Sequence, residues 1–430
     1  MLKTLPTRAR AFAALLLTLA AVTTARAELT IEIVKGVEGA LPIAIAPFGG
    51  NAGLPADIAA IITADLKRSG RFSPLASSQY ADRPTELSQV NYASFRSIGV
   101  PHLAVGQVRA GGAGYAVQFQ LADVYQGSQL LGSSFDVRSG DLRRVAHHIA
   151  DLIYEKLTGE KGAFNTRIAY VTARGTSSYT LVVADSDGYN PQVVLRSPLP
   201  VMSPAWSPDG SKLAYVSFEN RAAQIVVQNV FTGARQTISA SPGINGAPAW
   251  SPDGSQLAFT LSKDGNPEIY RYDLASRQTQ RLTSTSAIDT EATWSPDGGS
   301  IVFTSDRGGG PQLYRMPAGG GGAERLTFSG DYNSRPTFSP DGKSIAYVTR
   351  SGGRFHIAVM DASGRNTRLL TDGGMDESPS FAPNGGMILY ATQQGGRGVL
   401  AAVSTDGRVR QTLLSTDGEV REPAWSPYGR

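Results

Sequence analysis

Short apolar runs recur at regular distances through the second half of the chain, and each follows a polar turn. The runs are Leu213–Val216, Leu257–Thr260, Ile301–Thr304, Ile345–Val348 and Ile388–Ala391. Apolar runs of this length, bounded by turn residues, are typical of buried β-strands. The preceding Ser-Pro-Asp-Gly turns favour hairpins, because proline fixes φ, aspartate bonds the local backbone and glycine accepts a positive φ. The pattern therefore predicts a series of β-hairpins.

An aromatic residue followed by Ser-Pro-Asp-Gly, or a close variant of it, sets the period of the series. The six copies are Trp206–Gly210, Trp250–Gly254, Trp294–Gly298, Phe338–Gly342, Phe381–Gly385 and Trp425–Gly429. Their aromatic positions are 43 or 44 residues apart, which is the length of a four-stranded propeller blade. We expect each aromatic side chain to pack between neighbouring sheets, because burying a Trp or Phe removes about 150–250 Å² from water.

The two ends of the repeat region are complementary. Arg167–Thr172, Tyr179–Gly188 and Gln192–Leu195 read as strands without a motif strand of their own, whereas the last motif has no strands after it. The two parts complete one blade, and ring closure removes free sheet edges. For residues 165–430 the sequence predicts an all-β six-bladed β-propeller with four-stranded antiparallel blades, one of them closed by N- and C-terminal strands.

Residues 28–160 have a different pattern, which predicts an α/β N-terminal domain. The expected elements are a strand at Leu41–Ala46, a helix at Pro55–Arg68, strands at Leu103–Arg109, Tyr115–Tyr125 and Gln129–Val137, and a helix at Asp141–Leu157. Residues 158–165 then form the linker. Glu28–Val34 alternates apolar and polar residues as a β-strand does. It is either the first strand of this domain or a detachable strand that adds to the sheet of a partner.

The first 27 residues read as a signal peptide that is removed from the mature protein. Basic residues precede the apolar run Ala11–Val22, and Ala25-Arg26-Ala27 resembles a cleavage site. The run is shorter than the roughly 20 residues of a membrane-spanning helix. The leader contains four basic and no acidic residues, so the formal net charge of +4 belongs to it and the mature chain is neutral. Neutrality gives no indication of a nucleic-acid partner, and the absence of cysteine excludes disulfides and thiolate chemistry.

Candidate catalytic features are few. His147 and His148 are adjacent on a predicted helix and point about 100° apart, so they cannot share one ion. Gly111–Gly114 and Gly319–Gly322 lack the strand, helix and lysine of a phosphate-binding loop. The blades also resemble those of prolyl-oligopeptidase-type peptidases, which makes a hydrolase the alternative function. No Gly-x-Ser-x-Gly elbow or hydrolase domain accompanies them. We expect no catalytic residue, metal or cofactor.

The remaining candidate surface is the propeller mouth, formed by the loops that enter the six innermost strands. These loops are Val201–Ser203, Ile244–Ala247, Asp289–Glu291, Asp331–Arg335, Met375–Ser378 and Glu419–Glu422. They combine apolar residues with acids and amides, as protein-binding surfaces do; the alternative is a solvated rim. Asp289, Glu291, Asp376 and Glu377 would be the ligands of any cation there, although no ligand motif supports one.

Taken together, the leader, the cysteine-free α/β domain beginning Leu29-Thr-Ile-Glu-Ile-Val-Lys-Gly and the Trp-Ser-Pro-Asp-Gly propeller resemble the TolB family of the Tol–Pal system. The resemblance covers essentially the whole mature chain. It implies a monomeric, non-enzymatic periplasmic adaptor without a membrane span. In that family the mouth binds the lipoprotein Pal, which colicins mimic, and an N-terminal segment binds TolA. The process implied is outer-membrane constriction at cell division and envelope integrity.

Carried onto this chain, the resemblance implies two binding sites. The Pal site comprises Met202, Ser203, Ile244, Asn245, Ala247, Thr290, Glu291, Tyr332, Asn333, Arg335, Met375, Glu377, Val420 and Arg421. The TolA site comprises Glu28, Leu29, Thr30, Ile31, Glu32, Ile33 and Val34. We expect docking or release of the N-terminal segment to bias the affinity of the mouth for Pal, and such coupling is reciprocal.

Overall fold

A five-stranded mixed sheet forms the base of the N-terminal domain in the computed structural model, which describes residues 29–35, 39–112, 114–415 and 418–429. The strands up to residue 137 are β1 Leu29–Lys35, β2 Leu41–Ile45, β3 Phe72–Pro74, β4 His102–Gly111, β5 Gly114–Asp123 and β6 Ser128–Val137. The sheet has the order β3-β2-β4-β5-β6. Strand β2 is parallel to β3 and β4, and the β4–β5–β6 part is an antiparallel meander.

Two long helices cover one face of this sheet. The helices of the domain are α1 Ile58–Arg68, α2 Tyr92–Ser97 and α3 Leu142–Thr158, with 3₁₀ turns at Ser77–Gln79, Leu87–Gln89 and Ser139–Asp141. Helix α1 starts three residues later than its apolar pattern suggested, because the Asp57 side chain caps it by accepting from the Ala60 amide at 3.1 Å. Helix α3 ends at Gly159, whose φ of +77° suits a C-terminal cap. Ile62 of α1 and Ile149 of α3 are fully buried in the core they share.

Strand β1 is not part of this sheet. It lies antiparallel to Arg410–Ser415, the outer strand of a propeller blade, with Leu29 opposite Ser415 and Ile33 opposite Gln411. The interpretation of this segment as the first strand of the N-terminal domain is therefore wrong. The outer strand of that blade offers β1 the same backbone hydrogen bonds that a strand of the domain sheet would offer. In this structure β3 and β6 form the two edges of the domain sheet, and β1 pairs with the propeller.

The propeller has six blades, as the repeat predicted. From the inner to the outer strand they are blade 1, Val201–Trp206, Lys212–Ser217, Gln224–Asn229 and Arg235–Ser239; blade 2, Asn245–Trp250, Gln256–Leu261, Glu268–Asp273 and Thr279–Arg281; blade 3, Asp289–Trp294, Ser300–Ser305, Gln312–Pro317 and Glu324–Arg325; blade 4, Asn333–Phe338, Ser344–Ser351, Arg354–Asp361 and Arg368–Leu369; blade 5, Glu377–Phe381, Met387–Gln394, Arg397–Ser404 and Arg410–Ser415; and blade 6, Glu419–Trp425, Arg167–Ala173, Tyr179–Asp185 and Gln192–Ser197. Every blade is antiparallel, and blade 6 joins the last strand of the chain to Arg167–Ala173. The predicted fold class is confirmed.

The repeated motif builds the contacts between blades. The indole Nε1 of Trp250 donates to the Ala205 carbonyl of blade 1 at 3.1 Å, and that of Trp206 donates to the Ala424 carbonyl of blade 6 at 3.1 Å. Ser207 Oγ donates to Asp209 Oδ1 at 2.5 Å within the turn. The glycines of the first five copies have φ between +67° and +73°, where a side chain would be strained. The motif thus serves both packing and turn formation.

The N-terminal domain lies against the face of the propeller that carries the motif turns. Asn384 replaces the motif aspartate in blade 5, and its Nδ2 donates to the Lys161 carbonyl at 2.9 Å. Tyr428 replaces it in blade 6, and the Lys161 ammonium lies 5.9 Å from the centre of that ring. The two copies that depart from Asp at this position are therefore those that contact the residues around the linker. The mouth is at the opposite end of the channel.

Candidate partner-binding site at the propeller mouth

Each inner strand has a β-bulge at the same place, three residues before the motif aromatic. The bulged residues are Ser203, Ala247, Glu291, Arg335, Ser378 and Glu422, with φ between +47° and +57°. A non-glycine residue in the left-handed region is uncommon, and bulges re-aim side chains. Strand pairing shifts at this point in every blade, so the six residues form a ring around the channel.

The predicted site contained four members of this ring and missed two. In blades 5 and 6 it named the preceding residues, Glu377 and Arg421, in place of Ser378 and Glu422. Counting from the motif aromatic would have found both, because the bulge lies at the same distance before it in all six blades. The sequence does not show that the inner strands contain a bulge. Once the structure shows it, its constant distance from the motif aromatic identifies the equivalent residue in every blade.

The guanidinium of Arg335 contacts ring residues of three other blades across the channel. Its Nε donates to Glu291 Oε1 at 3.2 Å, and its Nη1 donates to Ser378 Oγ and to Glu422 Oε2, the latter at 3.4 Å. Glu422 Oε2 also accepts from the Ser203 amide at 3.3 Å. One guanidinium thereby connects blades 3, 4, 5 and 6. These contacts join the inner strands of four blades below the mouth loops, and we call Glu291, Arg335, Ser378 and Glu422 the belt.

The belt carries an excess of negative charge. Burial opposes the charge of Arg335, but the carboxylates of Glu422, Glu291 and Glu377 raise the pKa of its guanidinium above the usual range. Three acids thus face one base. The channel beside the belt contains a cavity of about 520 Å³, whose walls include the motif aromatics Trp206, Trp250 and Trp425.

Buried polar side chains hold the mouth loops in shape. Asn245 Nδ2 donates to the Ser241 carbonyl at 2.6 Å, and Asn333 Nδ2 donates to Gln312 Oε1 at 2.8 Å. Asp289 and Asp376 occupy the equivalent place in blades 3 and 5, and all four residues are buried. Asn245 and Asn333, which were predicted to contact a partner, are buried in this structure, where their hydrogen bonds position the loops. Val420 is fully buried in the core between blades 5 and 6 and has the same kind of role.

The residues that remain accessible are mainly apolar. Met202, Ile244 and Met375 are 38%, 49% and 48% exposed, and they stand on blades 1, 2 and 5. Arg421 is exposed as well, whereas Thr290 and Glu377 are half-buried. Tyr332 is half-buried and its ring stacks edge-on against Phe355, with 5.3 Å between the ring centres. Exposed apolar side chains that surround a polar channel are typical of a protein-binding surface.

Two further exposed apolar residues on this face were not among the residues predicted from the sequence. Ile288 directly precedes the inner strand of blade 3 and is 49% exposed. Phe328 lies in the loop that enters blade 4 and is 76% exposed, with the Arg325 guanidinium 5.2 Å from its ring centre. Both stand in the loops that were identified as the mouth, but one or a few residues before the segments that were named.

Three of the four mouth acids named as possible cation ligands are engaged by protein groups. Asp289 accepts two hydrogen bonds from Arg307 Nη2, at 3.0 and 2.9 Å, and Glu291 pairs with Arg335. Asp376 Oδ1 accepts from Thr392 Oγ1 at 2.5 Å. Asp289 and Glu291 thus each have an arginine beside them, so their carboxylates are already paired with a protein cation. Among the described residues, the one His and acid group with metal-like spacing is Asp65, His147 and Asp187, which lies far from the mouth at the domain boundary.

Both parts of the chain match models of known protein families. The model described as the TolB amino-terminal domain matches residues 29–130, and the model described as the TolB beta propeller domain matches residues 154–429. The second match alone spans more than half of the chain. The chain belongs to the TolB family.

Individual TolB proteins are similar to this chain over different shares of its length. The Tol-Pal system protein TolB of Thioalkalivibrio sulfidiphilus is 57% identical over 412 residues, which cover 94% of this chain and 95% of that protein. That of Methylococcus capsulatus is 54% identical over 224 residues, or 51% of this chain, so the chain spans about half (53%) of that relative's length. The crystal structure of TolB from Acinetobacter baumannii superposes with a TM-score of 0.87 at 45% identity, over 93% of this chain and 100% of that one.

Membership in the TolB family assigns the protein to the Tol-Pal system, whose TolB members are periplasmic, non-catalytic adaptors. The peptidase alternative is set aside on that ground. Within the described residues, no helix is long and apolar enough to cross a membrane. The predicted signal peptide, residues 1–27, and Glu28 lie outside the described residues.

Proposed function

We propose that this TolB protein is a periplasmic adaptor that binds the lipoprotein Pal through its propeller mouth and TolA through its N-terminal segment. The observation that carries the proposal is the concentration of exposed apolar side chains on the mouth face. Met202, Ile244, Ile288, Phe328 and Met375 all stand in loops that enter inner strands. Such a patch costs solubility unless a partner covers it. Met375 and Ile244 offer exposed apolar side chains that a partner can bury, and methionine is among the residues enriched in interfaces.

The position of β1 supports the second half of the proposal. Strand β1 forms the edge of the blade 5 sheet, where it pairs with a single strand by backbone hydrogen bonds. A segment held in this way can exchange one sheet edge for another without loss of backbone pairing. TolA would then bind Leu29–Val34 by strand addition after β1 leaves the propeller, and Glu28 would extend that segment.

Blade 5 gives a physical route between the two sites. Its outer strand, Arg410–Ser415, receives β1, and its inner strand starts at Glu377, beside Met375 and Ser378 of the mouth. Since one four-stranded sheet connects both ends, a change in packing at one edge can bias the other. The mouth would therefore bind Pal with one affinity when β1 is docked and with another when β1 is free. Together, the Pal and TolA contacts would support outer-membrane constriction at cell division and envelope integrity. Colicins that use the mouth would compete with Pal.

Two sets of variants test the proposal on the full mature chain. Ile244→Asp and Met375→Asp should weaken Pal binding in titration calorimetry while leaving TolA binding intact. Deletion of residues 28–34 should abolish TolA binding and move the Pal affinity to the value of the state without docked β1. Phe231→Asp is the matched control, because Phe231 is 70% exposed in the turn that joins the two outer strands of blade 1, on the motif-turn face. Unchanged Pal affinity in both mouth variants would move the site elsewhere.

A further inference from the structure

Six ionisable side chains meet where the N-terminal domain touches blade 6, on the face opposite the mouth. They are Asp65 and Arg68 of α1, Arg143 and His147 of α3, and Asp185 and Asp187 at the end of the third strand of blade 6. Four of them belong to one domain and two to the other. The cluster is therefore a contact between domains that neither domain contains alone.

His147 lies at the centre of the cluster, with its side chain only 3% exposed. Its Nδ1 is 2.6 Å from Asp65 Oδ2 in its own domain, and its Nε2 is 3.7 Å from Asp187 Oδ2 in the propeller. An imidazole carries protons on both nitrogens only when it is charged. The carboxylate of Asp65 beside Nδ1 and the negative charge of Asp187 near Nε2 favour the imidazolium form, whereas the Arg143 guanidinium beside Nε2 opposes it.

The charges of the cluster balance only with that form. Three aspartates face two arginines, so a protonated His147 supplies the third positive charge. Arg68 pairs with Asp65 at 3.0 Å, and Arg143 pairs with Asp187 and lies 3.4 Å from His147 Nε2. Although Asp65, His147 and Asp187 have ligand atoms within 4.8 Å of one another, the two carboxylates already pair with Arg68 and Arg143, whose positive charges disfavour a metal ion there. The cluster thus fits a proton rather than a metal.

Arg68 extends the cluster to the strand that receives β1. Its Nη1 and Nη2 donate to the carbonyl and hydroxyl oxygens of Ser186 at 3.0 and 2.8 Å. Its own carbonyl accepts from Gln411 Nε2. Gln411 stands in the outer strand of blade 5, opposite Ile33 of β1. One residue thereby joins the charge cluster, blade 6 and the docking strand of β1.

We propose that this cluster is a proton-dependent latch, which holds the N-terminal domain on the propeller while His147 is charged and loosens the domain contact when His147 loses its proton. Release then removes the Arg68 contact from the strand against which β1 lies. The latch concerns the contact between domains and does not depend on which partners bind at the mouth or at β1.

The direction of the pH effect follows from the surroundings of His147. Burial alone would lower the pKa of the imidazole, but Asp65, followed by Asp187, raises it above its ordinary value and outweighs the opposing Arg68. A base with a raised pKa contributes stability that is complete below its unfolded value of about 6.5 and is lost as the pH rises through the folded value. The latch is therefore closed in mild acid and opens on the alkaline side.

The pKa values of the neighbouring acids are shifted in different directions. Burial raises the pKa of Asp185, whereas that of Asp187 is lowered, because Arg68, His147 and Arg143 outweigh its burial. Burial raises the pKa of Asp151, one turn along α3, to about 6. Its carboxylate accepts from the amides of Phe164 and Asn165 at 2.7 and 3.1 Å, and it is mostly ionised above pH 7. His147 is the group of the cluster whose ordinary pKa lies nearest neutrality, so its charge is the one that changes as the pH rises above neutral.

The cysteine-free chain allows a direct test with two spin labels. Ser134→Cys in β6 and Thr232→Cys beside the outer strand of blade 1 are exposed positions, one in each domain. Electron–electron distance measurements should give one narrow distribution at pH 6.5 and a broadened one at pH 9. In Asp187→Asn the midpoint should move to lower pH by about one unit, because one of the carboxylates that favour the charged ring is lost. In His147→Gln the distribution should be broad at every pH.

The matched control is Asp341→Asn, the same chemical change in a motif turn of blade 4 that is remote from blade 6. It should leave both the distribution and its midpoint unchanged. Circular dichroism establishes that each variant is folded. A wild-type distribution that stays narrow up to pH 9 would overturn the latch, and so would a folded His147→Gln variant that retains the narrow distribution. If His147→Gln does not fold, the wild-type titration and Asp187→Asn decide the question.

Discussion

The two faces of the propeller use the repeat in opposite ways. On the motif-turn face, four turns keep the same Ser and Asp hydrogen bonds, and the copies with Asn384 and Tyr428 contact the residues around the linker. On the mouth face, the loops differ in sequence and expose apolar residues, while one buried polar position is retained in blades 2 to 5. The comparison teaches that the regular positions of the repeat build the scaffold, whereas the positions that depart from it contact the linker on one face and form the candidate binding site on the other.

The largest expected effect lies on the scaffold side of this comparison. Trp294→Ala should lower the free energy of unfolding by about 3–5 kcal/mol, since it empties a buried site between blades 2 and 3 and removes the hydrogen bond to the Ala249 carbonyl. Denaturant unfolding measures the change. Phe231→Ala, at an exposed aromatic, is the control and should be nearly neutral. A loss below about 1 kcal/mol for Trp294→Ala would contradict the packing role of the motif aromatics.

The next effect separates the mouth from the scaffold. Ile244→Asp should weaken Pal binding about 10- to 100-fold, or about 1.4–2.8 kcal/mol, because a charge would replace an apolar anchor at an interface. The unfolding free energy should stay nearly unchanged, since Ile244 is about half exposed. Calorimetric titration with Pal and thermal unfolding measure the two quantities. If Ile244→Asp lowered the binding free energy and the unfolding free energy by equal amounts, Ile244 would belong to the scaffold and not to a separate binding surface.

A smaller effect concerns the buried asparagines of the mouth loops. Asn333→Ala should lower the unfolding free energy by about 1–3 kcal/mol, because Gln312 Oε1 and the Ser329 carbonyl lose a buried donor. Pal binding should weaken as a consequence of loop disorder. Hydrogen exchange of residues 329–333 would show faster exchange in the variant. An unchanged exchange rate together with weaker binding would instead make Asn333 a direct contact.

The smallest effect is a pH dependence of the motif turns. Hydrogen bonds from Ser207 and Ser251 are the main cause that lowers the pKa of Asp209 and Asp253 to about 2. An acid with a depressed pKa contributes stability that is present above its unfolded value of about 3.9 and is lost as the pH falls through the folded value. Stability should therefore decline between about pH 4 and 2. In Ser251→Ala this decline should be shallower, as urea titrations at several pH values would show.

Much of the fold was accessible from the sequence, because a period of 43 or 44 residues and turns of known chemistry determine strand order within a blade. The helices α1 and α3 were placed to within three residues for a similar reason. The position of β1 was not accessible. Its alternating pattern specifies a strand but not a partner, since backbone hydrogen bonds are the same for every sheet edge.

The exposed residues of the candidate site at the mouth were only partly predictable. The sequence placed the mouth loops at one end of the channel, and it named Met202, Ile244 and Met375, which are exposed. It also named Asn245, Asn333 and Val420, which are buried, because residue type does not reveal whether a polar side chain bonds within its own loop. Ile288 and Phe328 were missed since exposure depends on how each loop turns.

The sequence by itself determined the six-bladed ring, its closure and the end of the channel that bears variable loops. The reason is that each strand and each turn is specified by residues next to one another in the chain, and the repeat then gives the number of blades. Only the tertiary structure decided which residues meet across the chain. Arg335 joins blades 3, 4, 5 and 6, β1 joins the propeller, and His147 faces carboxylates from two domains. These contacts depend on burial and on charges brought together from distant segments, which no local pattern records.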